Sequence, residues 1–123
     1  VSGWGWLGVA ALGAAGANAR FIVHTLIARR RRSSFPLGTL VVNLTGAFVL
    51  GLLVGLAVSG QALTLAGSGA IGSYTTFSTW MFETHRLSDS GRVAAAGCNA
   101  LGALLTGVAA AALGRVIGAH LLR

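Results

Sequence analysis

The distribution of charge constrains this chain more than any motif in it. No Asp, Glu, Lys or Arg occurs from Val1 to Ala19, from Ser33 to Phe82, or from Val93 to Gly114. A helix crosses the roughly 30 Å hydrocarbon core of a bilayer in about 20 apolar residues, so the middle stretch is too long for one crossing and fits two. Its natural division is "VSGQ", Val58 to Gln61, where Ser, Gly and Gln supply turn chemistry between apolar runs. The expectation is an all-α integral membrane protein, a single domain over residues 1–123, with four transmembrane helices at about 4 to 28, 36 to 58, 62 to 85 and 92 to 118. Composition agrees: 9% of residues are charged, where a soluble domain carries about a quarter, and the mean hydropathy is +0.79. No secretory signal is expected, because the first span lacks a basic leader and a small-residue cleavage pattern.

The formal net charge of +7 comes from nine arginines and no lysine. In a soluble protein it would suggest nucleic acid. Here position explains it better, since Arg29 to Arg32 follow the first span directly and Arg86 and Arg92 flank the third and fourth, where membrane proteins keep charge beside lipid headgroups. The expected surroundings are therefore a lipid bilayer, with no nucleic-acid partner. Cys98 is the single cysteine, lies inside the fourth span and forms no intrachain disulfide. The only carboxylates, Glu83 and Asp89, fall at or beyond the end of the third span. A proton-coupled exporter of cationic drugs, another small four-helix dimer, would want a carboxylate deep in the membrane, which disfavours that class. His24, His85 and His120 lie near span ends without ligand spacing, so neither a metal site nor a catalytic triad is expected, and no enzyme.

Nineteen glycines would cost a soluble bundle roughly 1 kcal/mol each. In lipid, small residues let helix backbones approach, and Gly51 with Gly55 and Gly114 with Gly118 form two GxxxG pairs suited to that role. Four spans in a chain of 12.4 kDa enclose little volume. An oligomer is therefore expected, a twofold dimer being the commonest form, with a pathway at or beside the shared interface.

Several polar residues sit where lipid gives them no partner. Arg20 lies inside the first span, where a central arginine costs roughly 2.5–3.5 kcal/mol on insertion scales. It either snorkels towards Arg29 to Arg32 or lines an aqueous vestibule that attracts an anion, and the second is favoured. Asn43, inside "FPLGTLVVNLTGAF", offers two amide donors and must face protein, water or a permeant species; interhelical bonding is the alternative to a pathway role. Internal Asn, Arg and hydroxyl donors without buried carboxylates suit an anion better than a cation. Phe77 and Trp80, three apart and on one helical face, could add the positive ring edges of aromatics.

"GSYTTFSTW", residues 72 to 80, is the most unusual stretch. Ser and Thr compete for backbone hydrogen bonds and Gly adds freedom, so the third helix is expected to break there. A break in mid-membrane is tolerated only where the backbone is buried or lines a cavity. Its freed carbonyls suit a small cation and the following helix N-terminus an anion.

With "GANARF" in the first span, "FPLGTLVVNLTGAFVLG" in the second and "GSYTTFSTWMFE" in the third, the chain resembles the Fluc (CrcB) family of small fluoride channels over nearly its whole length. The resemblance implies an antiparallel, inverted dimer of four-helix subunits with dual topology, fluoride as the permeant ion, and a structural Na+ at the dimer interface held by the backbone carbonyls of Gly72 and Thr75 from both subunits. It also implies a fluoride pathway: Asn43 as the pore asparagine, Phe77 as a pore-lining ring, Ser78 and Thr79 as a hydroxyl track, Glu83 as the acidic residue after the motif, and Arg20 as the first-span arginine. Trp80 stands where the family commonly has a second phenylalanine and adds an indole N–H. Asn99 and Ala103 stand where a Tyr and a Ser are frequent, leaving Asn99, with Thr106 nearby, as the expected polar lining of the fourth span.

The implied activity is passive fluoride export through a microbial cell membrane, relieving fluoride toxicity. Orientation gives an alternative. Loops 29 to 35 and 86 to 92 carry six arginines against two, Arg115 and Arg123, at the other end, which predicts the loop side cytoplasmic. A chain so biased could pair with a sister chain of opposite bias, as a pore-compromised structural subunit of a heterodimer, rather than as a homodimer.

Overall fold

The computed structural model describes residues 1–123 and is all-α. Helix α1 (Gly3–Arg30) starts at Ser2, whose Oγ accepts the Gly5 N–H at 3.0 Å. Ser2 is itself anchored to a distant turn, its N–H and hydroxyl both donating to Gln61 Oε1, at 3.1 and 3.2 Å. Arg29 and Arg30 close the last turn, where positive charge complements the carbonyl end of the helix. Pro36, its φ at −77°, opens α2 (Leu37–Gly55); a proline is tolerated there because the first helical N–H groups have no intrahelical acceptor.

The end of α2 comes earlier than the turn expected at 58 to 61. The Val58 N–H bonds to the Leu53 carbonyl and the Ala57 N–H to that of Val54, both at 3.0 Å, with Ala57 at φ 59°. This is a Schellman closure, and it ends the helix regardless of the Ser–Gly–Gln chemistry beyond. That chemistry is used one step later, where Gly60 at φ 60° starts the next helix.

Helix α3 covers 60–74 and is π-helical over Thr64–Ile71. Helix α4 is Ser78–Asp89. Helix α5 (Val93–Leu121) is π-helical over Cys98–Gly102. Between α4 and α5 the chain repeats the Schellman closure with glycine in the left-handed position: Gly91 has φ 83° and Arg92 N–H reaches the Leu87 carbonyl at 2.9 Å. Three helices, α1, α2 and α5, are long and apolar enough to cross a membrane. The third span expected from sequence is occupied by two pieces, α3 and α4, separated at 75–77. The break is narrower than the hydroxyl-rich stretch, since Gly72–Tyr74 remains helical and Ser78 already begins α4.

Helix α2 packs along α5, α1 packs against α3 and α2, and α4 folds back on the first turns of α5. The two GxxxG pairs meet each other in the α2–α5 contact. A Cβ at Gly51 would overlap the Ala111 carbonyl oxygen, one at Gly55 that of Arg115, one at Gly114 that of Phe48, and one at Gly118 that of Leu52. The backbones thus touch without intervening side chains, which is how helices gain dispersion energy when the surroundings are as apolar as they are.

Only 15 of the 123 residues are buried, and just Val42, Leu87 and Ala96 among them are counted as hydrophobic core. Large apolar side chains such as Trp4, Phe21, Leu105 and Val116 point outward. A water-soluble fold could not carry that much exposed apolar surface. This is a multi-pass membrane protein whose interior is lined by small and polar groups.

Candidate functional site

The break between α3 and α4 diverts hydrogen bonds that a continuous helix would have made. Thr75 leaves helical geometry for an extended conformation (φ −79°, ψ 161°). The Thr76 N–H, which would have bonded to the Gly72 carbonyl, instead donates to Asn43 Oδ1 at 2.8 Å, and Asn43 Nδ2 donates to the Thr76 carbonyl at 2.9 Å. One side-chain amide on α2 therefore pairs both the N–H and the carbonyl of one residue, as a neighbouring strand would. The second Nδ2 hydrogen of Asn43 is left over for another acceptor.

Thr76 also serves α4. Buried at 9% exposure, its Oγ1 accepts the Thr79 N–H at 3.2 Å and lies 3.4 Å from Ser78 Oγ. That is the work of an N-cap, done one residue ahead of Phe77. Gly46, on α2, makes room for the break, because a Cβ there would overlap the Thr75 methyl. Tyr74 ties the end of α3 to α2 through a 2.9 Å contact between its hydroxyl and that of Thr45.

One turn before Asn43 on the same face of α2, Thr39 is 2% exposed and donates its hydroxyl to Glu83 on α4. The pairs Thr39–Glu83 and Asn43–Thr76 thus form a polar seam between α2 and the broken segment. Each end of the seam meets an opening. Asn43 and Thr76 border a groove of about 400 Å³ walled by Phe77, Trp80, Leu104 and Val108. Glu83 borders a cleft of about 820 Å³ that Arg31, Arg32, Arg86 and Arg92 also line.

Phe77 is 70% exposed and its ring meets that of Trp80 edge to face, centroids 5.6 Å apart and planes at 87°. The indole N–H of Trp80 is committed: it donates to the Asn99 carbonyl at 2.9 Å. Asn99 lies in the π-helical turn of α5, is 2% exposed, and sends Nδ2 to Thr84 Oγ1 at 2.8 Å. Thr84 Oγ1 in turn donates to the Trp80 carbonyl at 2.9 Å. Trp80, Thr84 and Asn99 therefore close a hydrogen-bonded ring behind the aromatic pair. One Nδ2 hydrogen of Asn99, the residue expected to line a pathway, is bound inside this ring, to Thr84.

Ser78 is exposed and Thr79 half-buried on the first turn of α4, and neither lines the groove. Thr106 is exposed and bonds back to the Gly102 carbonyl of its own helix at 2.6 Å, so it joins neither the seam nor the ring. Arg20 lines neither of the two cavities. Its Nη1 donates to the Thr75 carbonyl at 3.4 Å.

Gly72 and Thr75 are the two residues whose carbonyls the family resemblance assigns to a cation. The Gly72 carbonyl has lost its helical N–H donor to Asn43, and the Thr75 carbonyl lies outside helix with only the long Arg20 contact. Two such under-used carbonyl oxygens suit a hard, oxygen-coordinated cation.

Sequence reasoning missed Thr39, Thr76 and Thr84. Two of them were in reach. Thr39 is four residues before Asn43 and Thr84 four after Trp80, spacing that puts each pair on one helical face. The π-helical turns carried no readable signal.

Apolar helices packed around an interrupted helix, with polar side chains pairing the exposed peptide, define a membrane protein of the ion channel and transporter class. The chain belongs to the CrcB family: the family model described as "CrcB-like protein, Camphor Resistance (CrcB)" matches residues 7–115, confirming the resemblance carried by the second and third spans. A protein of Mycolicibacterium paratuberculosis, "Fluoride-specific ion channel FluC 2", is 51% identical over 110 residues, covering 89% of this chain and 90% of the relative. A "Fluoride-specific ion channel FluC 2" of the archaeon Haloarcula marismortui is 50% identical over 93 residues, 76% of this chain and 78% of the relative. "Fluoride-specific ion channel FluC 1" of Frankia casuarinae is 37% identical over 121 residues, 91% and 94% of the two chains.

Proposed function

We propose that this chain is a fluoride channel that lets fluoride leave a microbial cell passively through its membrane, as the names of its relatives state for them. The observation that carries the reading is the seam itself: Thr39–Glu83 and Asn43–Thr76 in line, ending at a groove edged by the Phe77–Trp80 pair. Fluoride is small and strongly hydrated, so a pathway must replace its water with donors yet release it at the far end. The spare Asn43 amide hydrogen, the hydroxyls of Ser78 and Thr79 and the positive ring edge of Phe77 supply such donors. Trp80 contributes its ring alone, because its N–H is bound to Asn99.

In this reading α3 and α4 together make a fourth crossing, broken in mid-membrane, and a second, inverted copy covers the groove. The carbonyls of Gly72 and Thr75 from both copies would hold Na+ on the twofold axis. When bound, that ion would supply the positive charge that lets four carbonyl dipoles converge. Efflux of fluoride from liposomes containing the purified chain, with chloride as control, tests the proposal: fluoride-selective efflux is expected, and none at all would overturn it. Phe77→Ile should reduce the flux while leaving the oligomer intact by size-exclusion chromatography.

A second reading rests on the distribution of six arginines against two. A chain with one preferred orientation would need a partner of opposite bias, and would then serve as the structural half of a heterodimer. Efflux from the chain alone separates the two.

A further inference from the structure

The cleft of about 820 Å³ at the Glu83 end of the seam is far larger and more basic than a monatomic ion requires. Three separate segments build it: the end of α1 with its loop gives Arg31 and Arg32, α4 gives Arg86, and the turn into α5 gives Arg92. Arg29 and Arg30 belong to the same basic run yet do not line it. The cleft is therefore a convergence made by the fold, and not simply the basic flank of a span.

Glu83 offsets part of this charge, and none of the four arginines is in an ion pair. The one ion pair joins His85 to Asp89 at 3.1 Å, and the only carboxylate in the cleft, Glu83, takes the Thr39 hydroxyl. Arg86 lies 5.9 Å from the centre of the Phe82 ring, an apolar neighbour that leaves its N–H groups unspent. The supporting backbone is pinned: Arg31 N–H donates to the Ile27 carbonyl at 2.8 Å, and Arg92 N–H to that of Leu87 at 2.9 Å. Four arginines lining one cleft against a single carboxylate favour an anion there. Their planar forks match an anion with several oxygens, phosphate above all. The cleft also lies where α1 ends and α2 begins, at the limit of two apolar helices, the level of lipid headgroups.

We propose that this cleft is a phosphate-group site, occupied by the headgroup of an anionic phospholipid. Its ligand is distinct from the permeant ion, and its readout is lipid binding, so failure of the fluoride reading would leave it standing. The test is native mass spectrometry of the purified full-length chain in neutral detergent, titrated with dioleoylphosphatidylglycerol, dioleoylphosphatidylcholine or inorganic phosphate. Saturable binding of phosphatidylglycerol is expected, with phosphatidylcholine much weaker. Each basic residue near the surface contributes roughly a factor of five to anionic-lipid binding, so R31Q/R92Q should weaken phosphatidylglycerol binding by about tenfold or more. R86Q alone should weaken it by about threefold to fivefold on the same scale. R29Q/R30Q, which removes equal charge outside the cleft, should weaken it by clearly less than R31Q/R92Q does. Equal losses in the two double variants would overturn the site in favour of diffuse surface attraction, as would unchanged binding in R31Q/R92Q. Displacement of the lipid by millimolar inorganic phosphate would overturn the lipid source and assign the cleft to free phosphate.

Discussion

At the scale of single residues, Asn43 and Asn99 show how one side-chain type can serve two ends. Asn43 pairs both the N–H and the carbonyl of Thr76, so a substitution that keeps its shape and removes only the donor is informative. Asn43→Asp would set a carboxylate oxygen against the Thr76 carbonyl and place negative charge beside the groove. A stability loss of about 1–3 kcal/mol is expected for the lost bond, together with a drop in fluoride efflux of about tenfold or more. Undiminished efflux would remove Asn43 from the pathway. Asn99 is a framework residue by comparison. Thr84→Val would leave its Nδ2 without a partner at a 2% exposed position and should cost about 1–3 kcal/mol. Trp80→Phe should cost less, about 1 kcal/mol, because the Asn99 carbonyl still accepts the Ala103 N–H. Unfolding in detergent followed by circular dichroism would give the order, and the reverse order would contradict the ring. Asn43 and Trp80 were legible as special in sequence because they are polar or bulky in an apolar setting. What each is bonded to was not, since the partners lie 33 and 19 residues away.

At the scale of elements, turns and close contacts decide where helices stop and how near they come. Ala57 occupies the left-handed position of the Schellman closure after α2, at φ 59°, where an L side chain costs roughly 1–2 kcal/mol. Ala57→Gly is expected to raise stability by about 0.5–1 kcal/mol, read as a higher unfolding midpoint in the same detergent. Gly91, already glycine in the matching position, should lose about that much as Gly91→Ala. In the α2–α5 contact, Gly114→Leu would drive a side chain into the Phe48 carbonyl, and a loss beyond the 1–3 kcal/mol typical of overpacking is expected, because backbone cannot move aside as a side chain can. Retention of wild-type stability would mean that α2 and α5 are not in backbone contact. The glycine pairs were readable as packing motifs from their spacing. That they face each other was not, because GxxxG marks a face without naming its partner.

At the scale of the whole molecule, the outward apolar surface and the one-sided arginines govern how the chain sits in a membrane. The loop end carries six arginines and the opposite end two, so most copies should insert with the loop end cytoplasmic. A C-terminal tag probed for accessibility in intact cells would measure it. Equal populations on the two faces would show dual insertion, and would remove the case for an obligate sister chain.

The sequence by itself determined the environment and the family. Long uncharged runs can only be matched by lipid, and the motifs around Asn43 and in 72–83 are specific enough to name relatives without coordinates. It also located the break, because a cluster of hydroxyls and glycine weakens a helix wherever it falls. Tertiary structure alone decided what the break is tied to: Asn43 to the Thr76 peptide, Arg20 to the Thr75 carbonyl, Trp80 to Asn99. It alone gathered Arg31, Arg32, Arg86 and Arg92 into one cleft while leaving Arg29 and Arg30 outside. The physical reason is that lipid selects for composition, which is local and readable, whereas each unsatisfied polar group in an apolar medium takes whichever partner the packing of other helices brings within about 3 Å.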